Sequence, residues 1–135
     1  MEHNFRILGA KLGVAELKEP LFLIKAASSY ADPEAAVRRP VGYTGRVTFE
    51  GELAIVISTV CRNASPEKAE AAIFGYTCVN DITAADILQK DPSFPQWARS
   101  KSSDGFSPFG PVIAADLRPE VLVVRTVLNG EERQN

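Results

Sequence analysis

Cysteine is scarce in this chain: Cys61 and Cys78 are its two thiols, too few for a disulfide framework. Histidine is scarcer still. His3 is the one imidazole, and it sits at the N-terminus, where order is weakest, so it reads as a bystander rather than a base. No apolar run approaches the roughly 20 residues of a membrane span. No sign of charge dominates: the formal net charge is −2 and the sequence pI about 5.4, which leaves no polybasic face for nucleic acid. Internal repeats, low-complexity tracts and the GxSxG, P-loop, GxGxxG and CxxC patterns are absent. The opening MEHNFRILGAKLG is too polar for an export signal, so the expectation is a cytoplasmic protein with reduced thiols. Without a histidine partner in sequence, Cys61 and Cys78 are expected to be small buried apolar residues.

What remains is a chain of 135 residues, 45% of them hydrophobic, which suits a single domain with a core. A short helix is expected over residues 5–17, weakened by Gly9 and Gly13. Leu21–Ile24 reads as a strand, and residues 26–42 as loop with at most one helical turn. The strongest strand signal lies in Arg46–Val60. There Val47 and Phe49 alternate with polar residues before an apolar run, Leu53–Ile57, expected to be almost wholly buried. Ser65 and Pro66 are the N-cap and first position of a helix over Pro66–Ile73, with Glu67 and Glu70 favoured by its dipole and Gly75 ending it. Tyr76–Val79 reads as a second buried strand, Thr83–Gln89 as a short helix weakly capped by Thr83, and residues 97–110 as a polar loop anchored by Phe106 and Phe109. Val121–Leu128 reads as a strand leading into the hairpin signal Asn129-Gly130.

Three stretches could carry chemistry. In Glu50-Gly51-Glu52 the acids are two apart, so a strand would project both carboxylates from one face; a hard divalent cation answers their repulsion, and a solvated strand start is the plainer alternative. Asp81 follows a buried strand, where an acid serves as metal ligand or base, or merely caps the next helix. One cation could draw on Glu50, Glu52 and Asp81 together. In Gln96–Lys101, an extended backbone would set Arg99 and Lys101 on one face, either to bind the carboxylate of an organic acid or as a solvated basic patch.

With these residues in view, the chain resembles the fumarylacetoacetate hydrolase family, through its fumarylacetoacetase C-terminal-like domain. The resemblance runs from about Asn4 to Asn135 in the blocks EPLFLIKAASSY, FEGELAIVI, FGYTCVNDITAAD, QWARSKSSDGFSPFGPVI and VRTVLNGEERQN. It implies an α+β, mainly β fold, the family's mixed β-roll, in a truncated member incomplete at both ends, so that residues 1–135 form one partial domain. It implies that Glu50, Glu52 and Asp81 hold one Mg²⁺ or Mn²⁺, that Lys101 points into the same pocket, and that the partners are a small oxo-acid or β-diketo-acid substrate and a second copy in a homodimer. Family members hydrolyse, decarboxylate or isomerise such substrates, and a cation would stabilise charge on the substrate oxygen as it develops. Hydrolysis also needs a base for water. Leu8 stands where family hydrolases carry a histidine, and Lys11 where its orienting glutamate would be; Thr83-Ala84-Ala85-Asp86 lacks the family's substrate-facing arginine. The implied function is therefore a divalent-metal-dependent hydrolase, lyase or isomerase working through a metal-stabilised enolate, with the missing pair pointing to lyase or isomerase. A hydrolase with a different N-terminal correspondence, and a degenerate member that keeps only metal binding or dimerisation, are the alternatives.

Overall fold

Branched aliphatic side chains suit an extended backbone, and the run ending in Ile55-Val56-Ile57 forms the chain's longest ladder. In the computed structural model, which describes residues 6–11, 13 and 18–134, strand β3 (Gly51–Ile57) pairs antiparallel with β4 (Ile73–Asn80). Gly51 stands opposite Asn80, Glu52 opposite Val79 and Ile57 opposite Ile73, with a bulge between Val56 and Ile57. Helix α2 (Pro66–Ala71) lies in the connection between them. Its Ser65 hydroxyl accepts from the Lys68 N–H, and Pro66 occupies the first turn, as the capping signals require.

Three shorter pairings surround this ladder among the described residues. β1 (Tyr30–Ala31) runs parallel to β6 (Ser107–Pro108), β2 (Val47–Thr48) antiparallel to β5 (Thr83–Ala84), and β7 (Thr126–Leu128) antiparallel to β8 (Glu131–Gln134). Asn129 and Gly130 both have positive φ, 51° and 82°, the conformation that makes Asn-Gly a hairpin turn. Short helices α1 (Arg6–Lys11), α3 (Ala85–Leu88) and α4 (Trp97–Lys101) complete an α+β, mainly β architecture. No helix among the described residues is long and apolar enough to cross a membrane.

The buried apolar cluster is small and local: Ile82, Ala84 and Phe106, with Tyr43, Val47 and Ile87 against it. It is tied by backbone bonds, since Ile82 N–H donates to the Phe106 carbonyl at 3.1 Å and Ala85 N–H to the Arg46 carbonyl at 2.9 Å. The Tyr43 hydroxyl bridges the same elements, donating to the Arg46 carbonyl and accepting from the Asp86 N–H.

Several expectations need correction. Leu21–Ile24 joins no ladder, and Phe22 and Ile24 are exposed, so an apolar run without a pairing edge remains irregular. Leu53–Ile57 is only partly covered: Ile55 is 52% exposed, because β3 has one paired neighbour and one open face. Gly75 does not end the helix; it lies inside β4, where a Cβ would stand 2.7 Å from the Ala114 carbonyl oxygen, so its role is close backbone approach. The helix expected over Thr83–Gln89 is shortened to α3, because Thr83 and Ala84 pair with β2 instead. Residues 97–101 are helical rather than loop, and in residues 121–128 only Thr126–Leu128 is strand. Cys61 and Cys78 are both exposed; Cys78 faces an open cleft rather than the core. Of the helix over residues 5–17, α1 is seen, while Phe5, Leu12 and Val14 lie outside the described residues, as does His3.

Candidate active site

Glu50 immediately precedes β3 and Asp81 immediately follows β4, and the ladder continues through them: the Asp81 N–H donates to the Glu50 carbonyl at 2.8 Å. The Glu50 N–H in turn reaches the Asn80 Oδ1 at 3.2 Å. Directly opposed strand residues share a face, and residues two apart on one strand share it too. The register therefore sets Glu50, Glu52 and Asp81 on one face of the β3–β4 pair.

Lys101, the last residue of α4, enters this face from the side. Its Nζ donates to Asp81 Oδ2 at 2.7 Å and to Glu50 Oε1 at 3.0 Å, and its side chain is 1% exposed. The Thr83 hydroxyl donates to the same Glu50 Oε1 at 3.1 Å. Burial alone would lower the Lys101 pKa, but the Asp81 hydrogen bond and the charges of Asp81 and Glu50 outweigh it and hold the ammonium above its ordinary range.

A second lysine arrives from the irregular segment before β1. Lys25 Nζ donates to Asp81 Oδ1 at 2.5 Å and to the Phe106 carbonyl at 2.8 Å. The next residue is anchored beside Lys101, where the Ala26 N–H donates to the Ser102 Oγ at 3.0 Å. Burial is the largest influence on Lys25 and lowers its pKa, which the Asp81 contact offsets only in part. Asp81 thus carries an ammonium on each carboxylate oxygen. Burial would raise its pKa, yet the hydrogen bonds from Lys101 and Lys25 hold it below the usual carboxylate range.

Glu52 is the acid least compensated by these cations. Burial raises its carboxyl pKa, and the negative charge of Glu50 raises it further. It borders an open cleft of about 480 Å³ whose lining includes Asn80, Cys78, Phe109 and Arg125. The cleft adjoins the ion-pair cluster through Glu52 and Asn80, whereas Glu50, Asp81 and both lysines lie outside its lining.

Glu50 and Asp81 therefore meet on Lys101, with Glu52 beside them; among the described residues no three acidic, histidine or cysteine side chains close into a ligand cluster. The donor chemistry nonetheless fits a hard dication. The three groups are carboxylates on one sheet face, and the ionised form of Glu52 is disfavoured by burial and by its neighbours, which a cation would reverse. Arg99 and Lys101 do not share a face: residues two apart diverge on a helix, so Lys101 turns inward and Arg99 stays in solvent. Asp81 caps no helix, since its carboxylate is taken by the lysines.

Lys25 belongs to no motif that sequence alone marks as chemical. Its one sequence signal is a single cation ending the apolar run Leu21–Ile24 inside the block EPLFLIKAASSY. Thr83 caps no helix: its hydroxyl serves Glu50.

The family model described as Fumarylacetoacetate (FAA) hydrolase C-terminal matches residues 3–135. An uncharacterized protein of Methanocaldococcus jannaschii is 42% identical over 115 residues, covering 85% of this chain and 47% of that protein. The oxaloacetate tautomerase YisK of Bacillus subtilis is 35% identical, covering 98% of this chain and 44% of its own length. Among solved structures, a 5-carboxymethyl-2-hydroxymuconate delta-isomerase from Mycobacterium smegmatis superposes with a TM-score of 0.79 at 37% identity, covering 87% of this chain and 46% of that one. A fumarylacetoacetate hydrolase from Exiguobacterium antarcticum gives a TM-score of 0.73 at 46% identity, over 82% of this chain and 39% of that one. The chain spans about half the length of the curated relatives it matches first.

Proposed function

The chain belongs to the fumarylacetoacetate hydrolase family, and from that premise we propose that it supplies the acidic and cationic half of an active site that isomerises or decarboxylates small oxo acids with a bound Mg²⁺ or Mn²⁺. The observation that carries this reading is the meeting of Glu50 and Asp81 on the buried Lys101 ammonium, with Glu52 on the same sheet face. Glu50, Glu52 and Asp81 are the residues that would hold the ion. Bound there, a divalent cation supplies Lewis-acid stabilisation at the substrate oxygen on which negative charge develops.

The chain's own residues do the rest. Lys101 stays protonated and gives a fixed positive charge at Nζ, suited to a substrate carboxylate or a developing oxyanion. Lys25 holds the other Asp81 oxygen and sets a second positive charge beside the first. Asp81 orients both ammoniums at once. The Glu52 side of the 480 Å³ cleft is the approach for a small anionic substrate.

Leu8 and Lys11 at the positions of the family's water-activating pair favour proton transfer and decarboxylation over hydrolysis. The relatives named as a tautomerase and an isomerase support the same choice, while the relative named as a fumarylacetoacetate hydrolase makes cleavage the outcome the test must discriminate. A homodimer in the cytoplasm completes the proposal by family resemblance. A degenerate member that only holds an ion is the second reading, favoured by those same two substitutions.

The test compares oxaloacetate enol–keto exchange and decarboxylation with acylpyruvate cleavage, in Mg²⁺ or Mn²⁺. Turnover of oxaloacetate is expected, with Lys101→Met lowering kcat by about 10²–10³-fold and Glu52→Ala sharply weakening ion binding. Robust acylpyruvate cleavage would overturn the choice of reaction. Ion binding with no turnover of either substrate would select the degenerate reading. An unchanged ion affinity in Glu52→Ala would remove the metal site.

A further inference from the structure

Gly51 separates the two acids of the Glu50-Gly51-Glu52 pair, and its peptide is gripped from outside the β3–β4 ladder. Backbone groups alternate in direction along a strand. The Glu50 carbonyl points to β4, where it accepts from the Asp81 N–H, so the N–H and carbonyl of Gly51 point to the opposite edge. Both are met there by one side chain. Gln134, on β8, accepts from the Gly51 N–H through Oε1 at 2.9 Å and donates from Nε2 to the Gly51 carbonyl at 2.7 Å. The Thr126 hydroxyl, on β7, donates to the same Oε1 at 3.0 Å and fixes the orientation of the amide. A primary amide here reproduces the two bonds that a neighbouring antiparallel strand would offer one residue.

The fit leaves no room for a side chain between the acids. A Cβ on Gly51 would stand 2.2 Å from Thr126 Oγ1 and 3.2 Å from Gln134 Oε1. The contact spans 83 positions of sequence, so the terminal hairpin is docked on this peptide.

We propose that Gln134, held by Thr126, is a positioning residue for the acidic pair: by locking the Gly51 peptide it sets the directions in which Glu50 and Glu52 present their carboxylates to a divalent cation. The inference rests on the metal reading above and deepens it. It parallels the way partners behind metal ligands orient them, where loss of such a partner weakens metal affinity by about 10- to 100-fold.

The experiment follows Mn²⁺ binding by the loss of the free-ion electron paramagnetic resonance signal, in the wild type, Gln134→Met, Leu128→Ala and Glu52→Gln. Gln134→Met keeps the length of the side chain and removes both hydrogen bonds. Leu128→Ala, at an exposed strand position of the same hairpin, is the control, with urea unfolding measuring how far each variant lowers stability. The expected result is Mn²⁺ affinity about 10- to 100-fold weaker in Gln134→Met and within about twofold of the wild type in Leu128→Ala. Equal weakening in the two hairpin variants would overturn the proposal, since general hairpin stability would then explain it. Wild-type affinity in Gln134→Met with weakened binding in Glu52→Gln would also overturn it, while leaving the metal reading intact. Indifference of both wild type and Glu52→Gln to Mn²⁺ would sink the metal reading, and this inference with it. Should Gln134→Met fail to fold, amide hydrogen exchange in the wild type decides: slow exchange at the Gly51 N–H supports the clamp, and exchange at the rate of an open loop overturns it.

Discussion

Asp81 and Glu50 are joined twice, once through the backbone, where the Asp81 N–H donates to the Glu50 carbonyl, and once through the ammonium of Lys101, which both carboxylates share. Like charges set directly across a ladder repel, so the lysine between them is part of what allows the ladder to end in two acids.

Asp81→Asn removes the stronger partner of a buried cation. Lys101 is 1% exposed, and its remaining partner Glu50 is 40% exposed, so the ammonium is left undercompensated. Loss of about 3 kcal/mol of stability is expected, measured by urea unfolding at neutral pH. A change below about 0.5 kcal/mol, the size typical of a surface substitution, would mean that the pair is more solvated than its burial indicates.

The acids of the cluster respond to pH with opposite signs. Asp81 has its pKa depressed by the two ammoniums, so its contribution is present above the unfolded value near 3.9 and is lost as pH falls through its lower folded pKa. Glu52 has its pKa raised by burial and by Glu50. The folded state then holds the Glu52 proton more tightly than the unfolded chain, and stability falls as pH rises from about 4.3 through the raised folded value. Without added metal, Glu52→Gln should therefore raise the melting temperature at pH 7 and lose that advantage near pH 4. A lower melting temperature at pH 7 would contradict the unfavourable ionisation of Glu52.

Phe106 fills the centre of the small core and is fully buried. Its carbonyl also accepts from Lys25 and from the Ile82 N–H. Phe106→Ala should cost about 3–5 kcal/mol and, by shifting that carbonyl, perturb Lys25. Chemical denaturation and the titration of a ¹⁵N-labelled lysine ammonium read the two effects separately.

Gly75→Ala should destabilise by about 1–3 kcal/mol, because the added methyl meets the Ala114 carbonyl oxygen at 2.7 Å, a backbone atom that cannot rotate away. The Tyr76–Ala114 bridge is the contact expected to open, seen as faster exchange of the Ala114 and Tyr76 amides. Unaltered exchange at those amides would show that the neighbouring chain yields without cost.

Local chemistry was legible where the sequence alone satisfies it. Ser65-Pro66 caps a helix with atoms from its own turn, and Asn129-Gly130 makes its turn from its own φ angles. Glu50 and Glu52 could be nominated because residues two apart on a strand share a face, and Asp81 because it follows a buried strand; the family resemblance joined the three, and the register of β3 on β4 sets them on one face. What could not be read was any role decided by a distant partner. Lys25 becomes part of the site through Asp81, 56 positions away. Thr83 resembles a cap until β2 draws it into a ladder and Glu50 takes its hydroxyl. Arg99 and Lys101 look equivalent in an extended segment and are separated only by the helical turn of α4. Cys78 and Leu53–Ile57 are more exposed than their composition implies, because composition does not reveal which face of a strand lacks a neighbour.

The Phe106 carbonyl accepts from both the Ile82 N–H and the Lys25 ammonium, so the hydrophobic anchor and the charged constellation share that oxygen atom. They should open and close as one cooperative unit. Solvent exchange at the Ile82 amide would then act as a sentinel for the integrity of the charged constellation: substitutions that loosen Lys25 or Asp81 should quicken it even when far-ultraviolet dichroism is unchanged.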